Sequence, residues 1–311
     1  MKALIALSYR PVDQLVVAEV PTPEPGPGQV LLQVQAAAVN PLDAKLVIGE
    51  LRGMFPIEHP FIVGMDAAGV VVAVGERVSG FAVGDEVVAY THFAPGAIAE
   101  YTLVTEGPQL ARRPEGLDAV RGAALCSVSM TAECVLTATR LEPGQSALII
   151  GATGGVGSFA VQLAAQAGVR VLATAAPADT EYARELGAHH TIDYTGADPV
   201  EQALRLYPEG VDVAIDLINA GPGLAATAAA IKPGGRLVST LFGPEELDRG
   251  VTPVYVRMTA EEGNLQRQAD RVADGRLTVD VVATYVFADA AKALADFAAG
   301  KHTRGKVVIT F

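Results

Sequence analysis

A glycine-rich turn in the middle of the chain limits the possible folds more than any other segment. The run LIIGATGGVGSFAVQLAAQAG starts as an apolar strand, turns at Gly151, Gly154 and Gly157, and continues as an alanine-rich helix. A second apolar strand follows at residues 169–175. Strand, glycine turn, helix and second strand within about thirty residues form the pattern of a dinucleotide-binding unit with a parallel sheet.

The glycine turn has a direct chemical use. It lets the backbone approach a pyrophosphate, whose charge is met by backbone N–H groups and by the positive end of the helix dipole. We expect this cradle to be formed by Gly151, Ala152, Thr153, Gly154, Gly155, Val156 and Gly157. The alternative is a turn that only packs the helix against the strand. A P-loop is excluded, because no Gly-Lys-Ser/Thr sequence follows.

The end of the second strand indicates which coenzyme is bound. An acidic residue there would hydrogen-bond a free ribose 2′-hydroxyl and repel a 2′-phosphate. The strand ends instead with Thr174, Ala175 and Ala176, so we predict NADPH rather than NADH. Arg184 is the candidate basic residue for the phosphate, although two acidic residues precede it.

The pattern of hydrophobic residues divides the chain into domains. Residues 1–120 alternate short apolar strands with Gly and Pro, which indicates a β-rich domain. Residues 121–260 alternate apolar strands with alanine-rich helices, as in a parallel sheet covered by helices. The tail, 261–311, ends in the apolar strand GKVVITF, and we expect it to rejoin the first domain. The predicted fold class is therefore α/β.

Composition excludes several functions. The net charge of −12 opposes binding to nucleic acid, and no cluster of Lys and Arg offsets it. The spacing of the two cysteines, Cys126 and Cys134, suits neither a disulfide framework nor a zinc ribbon. The apolar stretch between Lys2 and Arg10 is too short for a signal peptide. We expect a cytoplasmic protein without a membrane partner.

Several segments together resemble one family. In order along the chain they include AAAVNPLDAKLVIG, GMDAAGVVVAVGERVSGFAVGDEVVAY, the GATGGVG turn, VDVAIDLI and TRGKVVI. This order is similar to that of the zinc-independent quinone oxidoreductase branch of the medium-chain dehydrogenase/reductase superfamily. The resemblance implies a GroES-like β-rich catalytic domain joined to a Rossmann domain with a doubly wound parallel sheet. It also implies a homodimer formed by edge strands of the nucleotide domains, for which the apolar strand 235–240 is suited.

The resemblance further implies hydride transfer from NADPH to a small hydrophobic quinone or α,β-unsaturated carbonyl. The zinc ligands of related alcohol dehydrogenases are missing. Met65 and Asp66 stand where a His-Glu pair would be, and no cysteine occurs before Cys126. The five histidines lack ligand spacing, so we predict no metal.

The same resemblance implies roles for individual residues. Asn40 would lie beside the nicotinamide and the substrate, although an Asn before Pro is often only a turn residue. Lys45 would donate to the developing oxyanion or else be a solvated lysine. Tyr90, with His92, would border the acceptor pocket or serve only in packing.

Further residues are assigned to the coenzyme by the same comparison. Thr131 would lie near the nicotinamide, and Arg304 and Lys306 would approach the phosphates. The acceptor pocket would be formed by loops near residues 40–60, 90–96 and 241–258. Apolar residues in two of these loops suggest a hydrophobic acceptor: Leu51, Met54, Phe55 and Phe242.

Two other functions fit the same sequence. One is an NADP-binding structural or sensor protein with little turnover. The other is a reductase of carrier-bound enoyl thioesters, which would need a basic patch that this acidic chain lacks.

Overall fold

The computed structural model describes residues 1–92 and 95–311. Phe93 and Ala94, within the 90–96 loop expected to line the acceptor pocket, lie outside the described residues. The chain divides into two compact units, one of Met1–Ser127 with Ala260–Phe311 and one of Val128–Thr259. The change in sequence pattern at 120/121 falls just inside a continuous helix, Ala119–Thr139, so it marks the start of this helix rather than the change of unit.

The helices and strands follow in this order. The first part contains β1 (Lys2–Ala6), β2 (Val16–Glu19), β3 (Gln29–Val39), α1 (Pro41–Ile48), β4 (Phe61–Ile62), β5 (Asp66–Val74), β6 (Glu86–Tyr90), β7 (Tyr101–Thr105) and β8 (Leu110–Arg112). The middle part contains α2 (Ala119–Thr139), β9 (Ser146–Ile150), α3 (Gly155–Gln166), β10 (Arg170–Ala175), α4 (Thr180–Glu185), β11 (His190–Asp193), α5 (Pro199–Leu206), β12 (Val211–Asp216), α6 (Pro222–Ala228), β13 (Ile231–Ser239) and β14 (Thr252–Tyr255). The tail contains α7 (Asn264–Ala273), β15 (Val281–Val286), α8 (Ala290–Ala298) and β16 (Lys306–Thr310).

The first unit is built on β-sheets. One sheet has the order β15-β16-β3-β5-β6-β8, with β7 also paired to β3, and a smaller sheet has the order β2-β1-β4. In the long central strand β3 only Gln33 and Gln35 are exposed, on either side of buried Val34, and residues 30–32 and 36–39 are buried throughout. Strand β16 of the tail pairs with β3, so the tail contributes a strand to the main sheet of the first unit.

The second unit contains a parallel sheet with the order β11-β10-β9-β12-β13-β14. Strand β9, the first of the unit, lies between β10 and β12, so the chain reverses its direction of winding there. Every residue of β9 is buried, as expected for a strand covered by helices on both faces. Local sequence also sets helix starts: Pro199 opens α5, and the Asp198 carboxylate accepts a hydrogen bond from the Val200 N–H.

Most predicted elements are confirmed, with informative exceptions. Helix α3 begins at Gly155, within the glycine turn, rather than at residue 158. The strand predicted at 235–240 is β13, and it lies inside the sheet because the short strand β14 covers its edge. The proposed dimer edge was therefore assigned to the wrong strand. The pattern TPVY of β14 was missed because it is short and contains a proline.

Helix α2 is apolar along much of its length. Within the described residues it is the helix whose length and composition would suit a membrane span. Its most apolar stretch of 18 residues is 56% buried. Length and composition alone are weak evidence for a span, since core helices share them.

Candidate active site

The strand register of the first unit brings four chain segments together at one end of its main sheet. Asn40 directly follows β3 and is the N-cap residue of α1, with Pro41 in the first helical position. Val307 pairs with Val39, so the antiparallel register sets Lys306 opposite Asn40. Asp66 pairs with Ala38 on one side and with Tyr90 on the other.

Five polar residues at these strand ends and on the neighbouring helices are linked in one group, which we call the buried polar group: Asn40, Asp43, Asp66, Ser127 and Lys306. Ser127 is half-buried, and the other four are buried. The Asn40 Nδ2 donates to Asp66 Oδ2 at 2.9 Å, and the Ser127 hydroxyl donates to the same oxygen at 2.6 Å. The Ser127 N–H donates to Asp66 Oδ1 at 3.0 Å. Asp66 is fully buried and accepts in all three hydrogen bonds, as an ionised carboxylate does.

Lys306 closes this group on the other side of Asn40. Its ammonium donates to Asn40 Oδ1 at 2.5 Å and to the Val39 carbonyl at 2.9 Å, and lies 3.8 Å from Asp66 Oδ2. Only 4% of Lys306 is exposed. The predicted contact of Lys306 with coenzyme phosphates is therefore not the arrangement observed, because the ammonium is enclosed by oxygens of its own unit.

Asp43 holds the start of α1 and completes the group. Its Oδ2 accepts the Asn40 backbone N–H at 2.7 Å. Burial, reinforced by the charge of Asp66, raises the pKa of Asp43 to about 7. Burial also raises the pKa of Asp66 and lowers that of Lys306, while the attraction between the two opposes both shifts. One ammonium thus neutralises one carboxylate, and Asp43 holds a proton close to neutral pH.

The other predicted residues of this unit lie outside that group. Tyr90 is 6% exposed, and burial, then the charges of Asp66 and Asp43, raises the pKa of its phenol, which stays protonated. Its ring contacts that of His92 at 4.6 Å between centroids. Lys45 forms a surface ion pair with Glu50 at 3.0 Å, as the solvated alternative predicts.

Arg304 and the apolar residues expected around the acceptor also have defined places. The Arg304 Nε lies 2.8 Å from Asp280 Oδ2. Met54 is 49% exposed, whereas Phe55 packs against the core of the first unit. Phe242, which belongs to the second unit, is 50% exposed.

In the second unit, the glycine turn joins β9 to α3. Gly151 has a φ of +81°, which L side chains rarely adopt, and its N–H is bound by the Thr174 hydroxyl at 3.0 Å. A Cβ on Gly157 would lie 2.0 Å from the Gly151 carbonyl oxygen, so only glycine allows α3 to lie this close to the strand. A Cβ on Gly154, the N-cap residue, would meet that oxygen at 3.5 Å, an ordinary contact.

This geometry separates two requirements on the turn. Gly157 is required by packing, whereas at Gly154 the protein itself leaves room for a side chain. The first turn of α3 carries no acidic residue. The N–H groups of Gly155, Val156 and Gly157 have no intrahelical acceptor, so a dinucleotide's diphosphate fits this end of the helix.

The remaining residues predicted for the coenzyme lie in the same unit. Ala175 is buried at the end of β10, and Ala176 follows it without an acidic side chain. Arg184, on α4, is largely exposed and lies 3.6 Å from Glu181. Thr131, on α2, is half-buried.

No zinc site is apparent in residues 1–92 and 95–311, where no group of three or more His, Cys, Asp or Glu is placed to hold a metal ion. Cys126 is buried, with burial raising its pKa, and its thiol donates to the Gly122 carbonyl. The Asp66 oxygens already receive donors from Asn40 and Ser127.

Comparison with known families gives two matches. Residues 26–115 match the family described as alcohol dehydrogenase GroES-like domain. Residues 186–309 match the family described as zinc-binding dehydrogenase. The first lies within the β-rich unit, and the second extends from the nucleotide unit into the tail.

Individual relatives agree with these families. The chain is 34% identical to an NADPH-dependent alkenal/one oxidoreductase of Arabidopsis thaliana, over 99% of this chain and 79% of that protein. It is 40% identical to a quinone-oxidoreductase homolog of Spinacia oleracea over 58% of this chain and 57% of that protein. A crystal structure described as an NAD-dependent alcohol dehydrogenase matches with a TM-score of 0.89 and 29% identity, covering 100% of both chains.

Fold, site and relatives together define an oxidoreductase with a GroES-like domain and a Rossmann-like domain. The chain belongs to the quinone oxidoreductase branch of the medium-chain dehydrogenase/reductase superfamily.

Asp66 and Ser127 were not predicted as site residues, and Lys306 was given a different partner. One signal was available for two of them. Asp66 and Lys306 are each a charged residue at the start of an otherwise apolar strand, AAGVVVAV and VVIT. A buried charge needs a partner, so each strand start predicts an opposite charge nearby.

Proposed function

We propose that this protein reduces a quinone or an α,β-unsaturated carbonyl with NADPH, without a metal ion. The observation that carries the proposal is the glycine turn of residues 151–157, where Gly154 leaves room for a ligand at the N-terminus of α3 and the first turn of that helix carries no acidic residue. The absence of an acidic residue at the end of β10 supports NADPH over NADH.

The coenzyme fits residues of the second unit. The N–H groups at the start of α3 would hold the diphosphate, and Arg184 would meet the 2′-phosphate. The bound coenzyme would supply a hydride to the acceptor. Thr174 keeps the turn in place, because its hydroxyl binds the Gly151 N–H and donates to the Ile149 carbonyl at 3.3 Å.

The buried polar group of the first unit would act on the acceptor oxygen. Addition of hydride to a conjugated carbonyl or a quinone leaves negative charge on that oxygen, and a fixed hydrogen-bond donor stabilises it. Asn40 is the donor we assign, since one of its two amide N–H groups remains after the bond to Asp66. The proton that completes the reaction would come from water, because the raised pKa of Tyr90 makes its phenol a weak acid.

A zinc ion does not fit the donors present. A catalytic zinc needs three protein ligands at about 2.0–2.3 Å, usually His, Cys or carboxylate. Here the Cys126 thiol is protonated and buried, and the Lys306 ammonium lies beside Asp66. An activated acceptor is reduced without Lewis-acid assistance when donors are aimed at its oxygen.

One experiment tests this function. The purified chain is mixed with NADPH or NADH and a panel of quinones, enones, enals and simple ketones, and loss of the reduced nicotinamide absorbance is followed. We expect turnover with quinones, enones or enals, a preference for NADPH and no effect of prior dialysis against a strong chelator. Activity restored only by zinc would contradict the metal-free proposal, and a preference for NADH would contradict the coenzyme assignment.

The same panel, extended by a carrier-bound enoyl thioester and by an NADPH binding titration, decides between the enzyme and its alternatives. A sensor or structural protein would bind NADPH tightly and turn over none of the acceptors. An enoyl reductase would act on a carrier-bound enoyl thioester and not on the free enone. A homodimer formed by edge strands of the nucleotide domains and a cytoplasmic location remain predictions, and sedimentation analysis tests the first.

A further inference from the structure

The side-chain amide of Asn40 lies between two opposite charges. Lys306 Nζ is 2.5 Å from its oxygen, and Asp66 Oδ2 is 2.9 Å from its nitrogen. Asn40 is 5% exposed, Lys306 4% and Asp66 0%. Water therefore screens none of these contacts strongly.

This arrangement allows only one orientation of the amide. If the Asn40 amide turned by half a rotation, its NH₂ group would face the ammonium of Lys306, and its oxygen would face the carboxylate of Asp66. Both contacts would then be repulsive, because an ammonium only donates and a carboxylate only accepts. An uncharged pair of neighbours would not impose so strong a preference.

The ammonium of Lys306 also polarises the amide. An ammonium on the oxygen withdraws electron density from the nitrogen, and hydrogen bonds in such a chain strengthen one another. The N–H of Asn40 that is not bound to Asp66 thereby becomes a stronger donor. A stronger donor stabilises a developing oxyanion more than it stabilises a neutral carbonyl.

We infer that Lys306 is a positioning residue that polarises the Asn40 amide and, together with Asp66, fixes its orientation so that its second N–H is presented to the acceptor oxygen. The inference rests on the proposed function and adds a role for Lys306. A contact of Lys306 with coenzyme phosphates is the competing role, and the two differ in what they do to kcat and to coenzyme binding.

Lys306→Met tests the inference in the full chain. We expect kcat to fall by about tenfold or more, while the Kd for NADPH changes by less than about twofold, because the lost effect is on the transition state. Lys292→Met is the matched control, since it removes an exposed lysine that pairs with Asp296 in the same unit. An unchanged kcat would overturn the inference, and so would a larger Kd for NADPH with kcat preserved.

A second variant covers loss of folding. Removing Lys306 alone leaves the buried Asp66 without its cation, which is often strongly destabilising. The double variant Lys306→Met with Asp66→Asn removes both charges and keeps the shapes close to the originals. We expect the same fall in kcat, and a double variant as active as the wild type would overturn the inference.

A spectroscopic measurement separates the inference from the proposed function. The ¹⁵N resonance of the Asn40 side chain, assigned by its loss in Asn40→Ala, should shift on Lys306→Met because the polarising charge has gone. If the wild type shows no turnover but the Asn40 resonance still shifts on Lys306→Met, the proposed function is contradicted and the effect of Lys306 on the Asn40 amide is supported. If the wild type is active but Lys306→Met changes neither the Asn40 resonance nor kcat, only the inferred role of Lys306 is contradicted.

Discussion

Lys306 Nζ lies 2.5 Å from Asn40 Oδ1, although 266 positions separate the two residues in the sequence. Pairing of β16 with β3 produces this contact, because Val307 is in register with Val39. The last strand of the chain thus supplies a buried charge to the residue that we assign to the acceptor oxygen.

Asn40→Ala tests the assigned oxyanion donor. Loss of one such donor typically lowers kcat by about 10²–10³-fold, and we expect a loss in this range. NADPH binding should change little, since the glycine turn belongs to the other unit. Steady-state kinetics with a quinone or enone and a fluorescence titration with NADPH measure the two effects. A kcat within threefold of the wild type would remove Asn40 from the mechanism.

The glycine turn allows packing and binding to be separated. Gly157→Ala puts a methyl group 2.0 Å from the Gly151 carbonyl oxygen, and we expect a stability loss of about 1–3 kcal/mol together with weaker NADPH binding. Gly154→Ala makes only an ordinary contact within the protein, so stability should change by less than about 1 kcal/mol.

We nevertheless expect Gly154→Ala to weaken NADPH binding by about tenfold, because the methyl group would occupy space that the diphosphate needs. Gly53→Ala is the control, since no atom of residues 1–92 or 95–311 lies within 4 Å of its Cβ position. Thermal unfolding and NADPH titration of the three variants provide the comparison. Unimpaired binding by Gly154→Ala would place the diphosphate elsewhere.

Ala176→Asp tests the coenzyme assignment. A carboxylate just after β10 would repel the 2′-phosphate of NADPH and accept a hydrogen bond from the ribose hydroxyl of NADH. We expect the ratio of kcat/KM for NADPH over NADH to fall by about tenfold or more, which corresponds to about 1.4 kcal/mol. A ratio that stays the same would show that the adenosine ribose binds away from this strand end.

Asp43→Asn tests the buried carboxyl through the pH dependence of stability. The pKa of Asp43 is raised from its ordinary value of 3.8 to about 7, so the native state keeps a proton that the unfolded state has lost between these values. Its contribution to stability is therefore complete below pH 3.8 and is lost as the pH rises towards 7. Asparagine cannot ionise. Between pH 4 and 7 the free energy of unfolding of the variant should therefore rise by about 2–4 kcal/mol relative to that of the wild type.

Urea unfolding of both proteins across this range measures the difference. Asp85→Asn is a control of opposite sign, because the Ala82 N–H and Arg112 lower the pKa of Asp85 and its contribution is lost towards acid pH. If the free energies of unfolding of the wild type and Asp43→Asn change with pH in parallel, the pKa of Asp43 is at its ordinary value of 3.8.

Local sequence was enough to predict the centre of the nucleotide unit, although it missed β14. The glycine turn and the strands on either side of it depend on neighbours within a few residues, as at Gly157. The buried polar group could not be predicted in this way. Asn40 was identified through family resemblance, but its contacts with Asp66 and Lys306 depend on the register of strands far apart in the sequence.

The contacts of Lys306 could not be predicted for the same reason. Its position in TRGK suggested a basic residue near phosphates, whereas the pairing of β16 with β3 turns its ammonium towards Asn40. The misassigned sheet edge at β13 likewise reflects a neighbour, β14, that no hydrophobic pattern indicated.

Isotope transfer tests the central claim most directly. The protein is incubated with NADPH deuterated at C4 of the nicotinamide, on each face in turn, and with an enone. We predict that one of the two labelled coenzymes gives a saturated ketone carrying a single deuterium at the former β-carbon. Product without deuterium from either coenzyme, or deuterium on the carbonyl carbon of an allylic alcohol, would contradict the proposed reduction of the conjugated double bond.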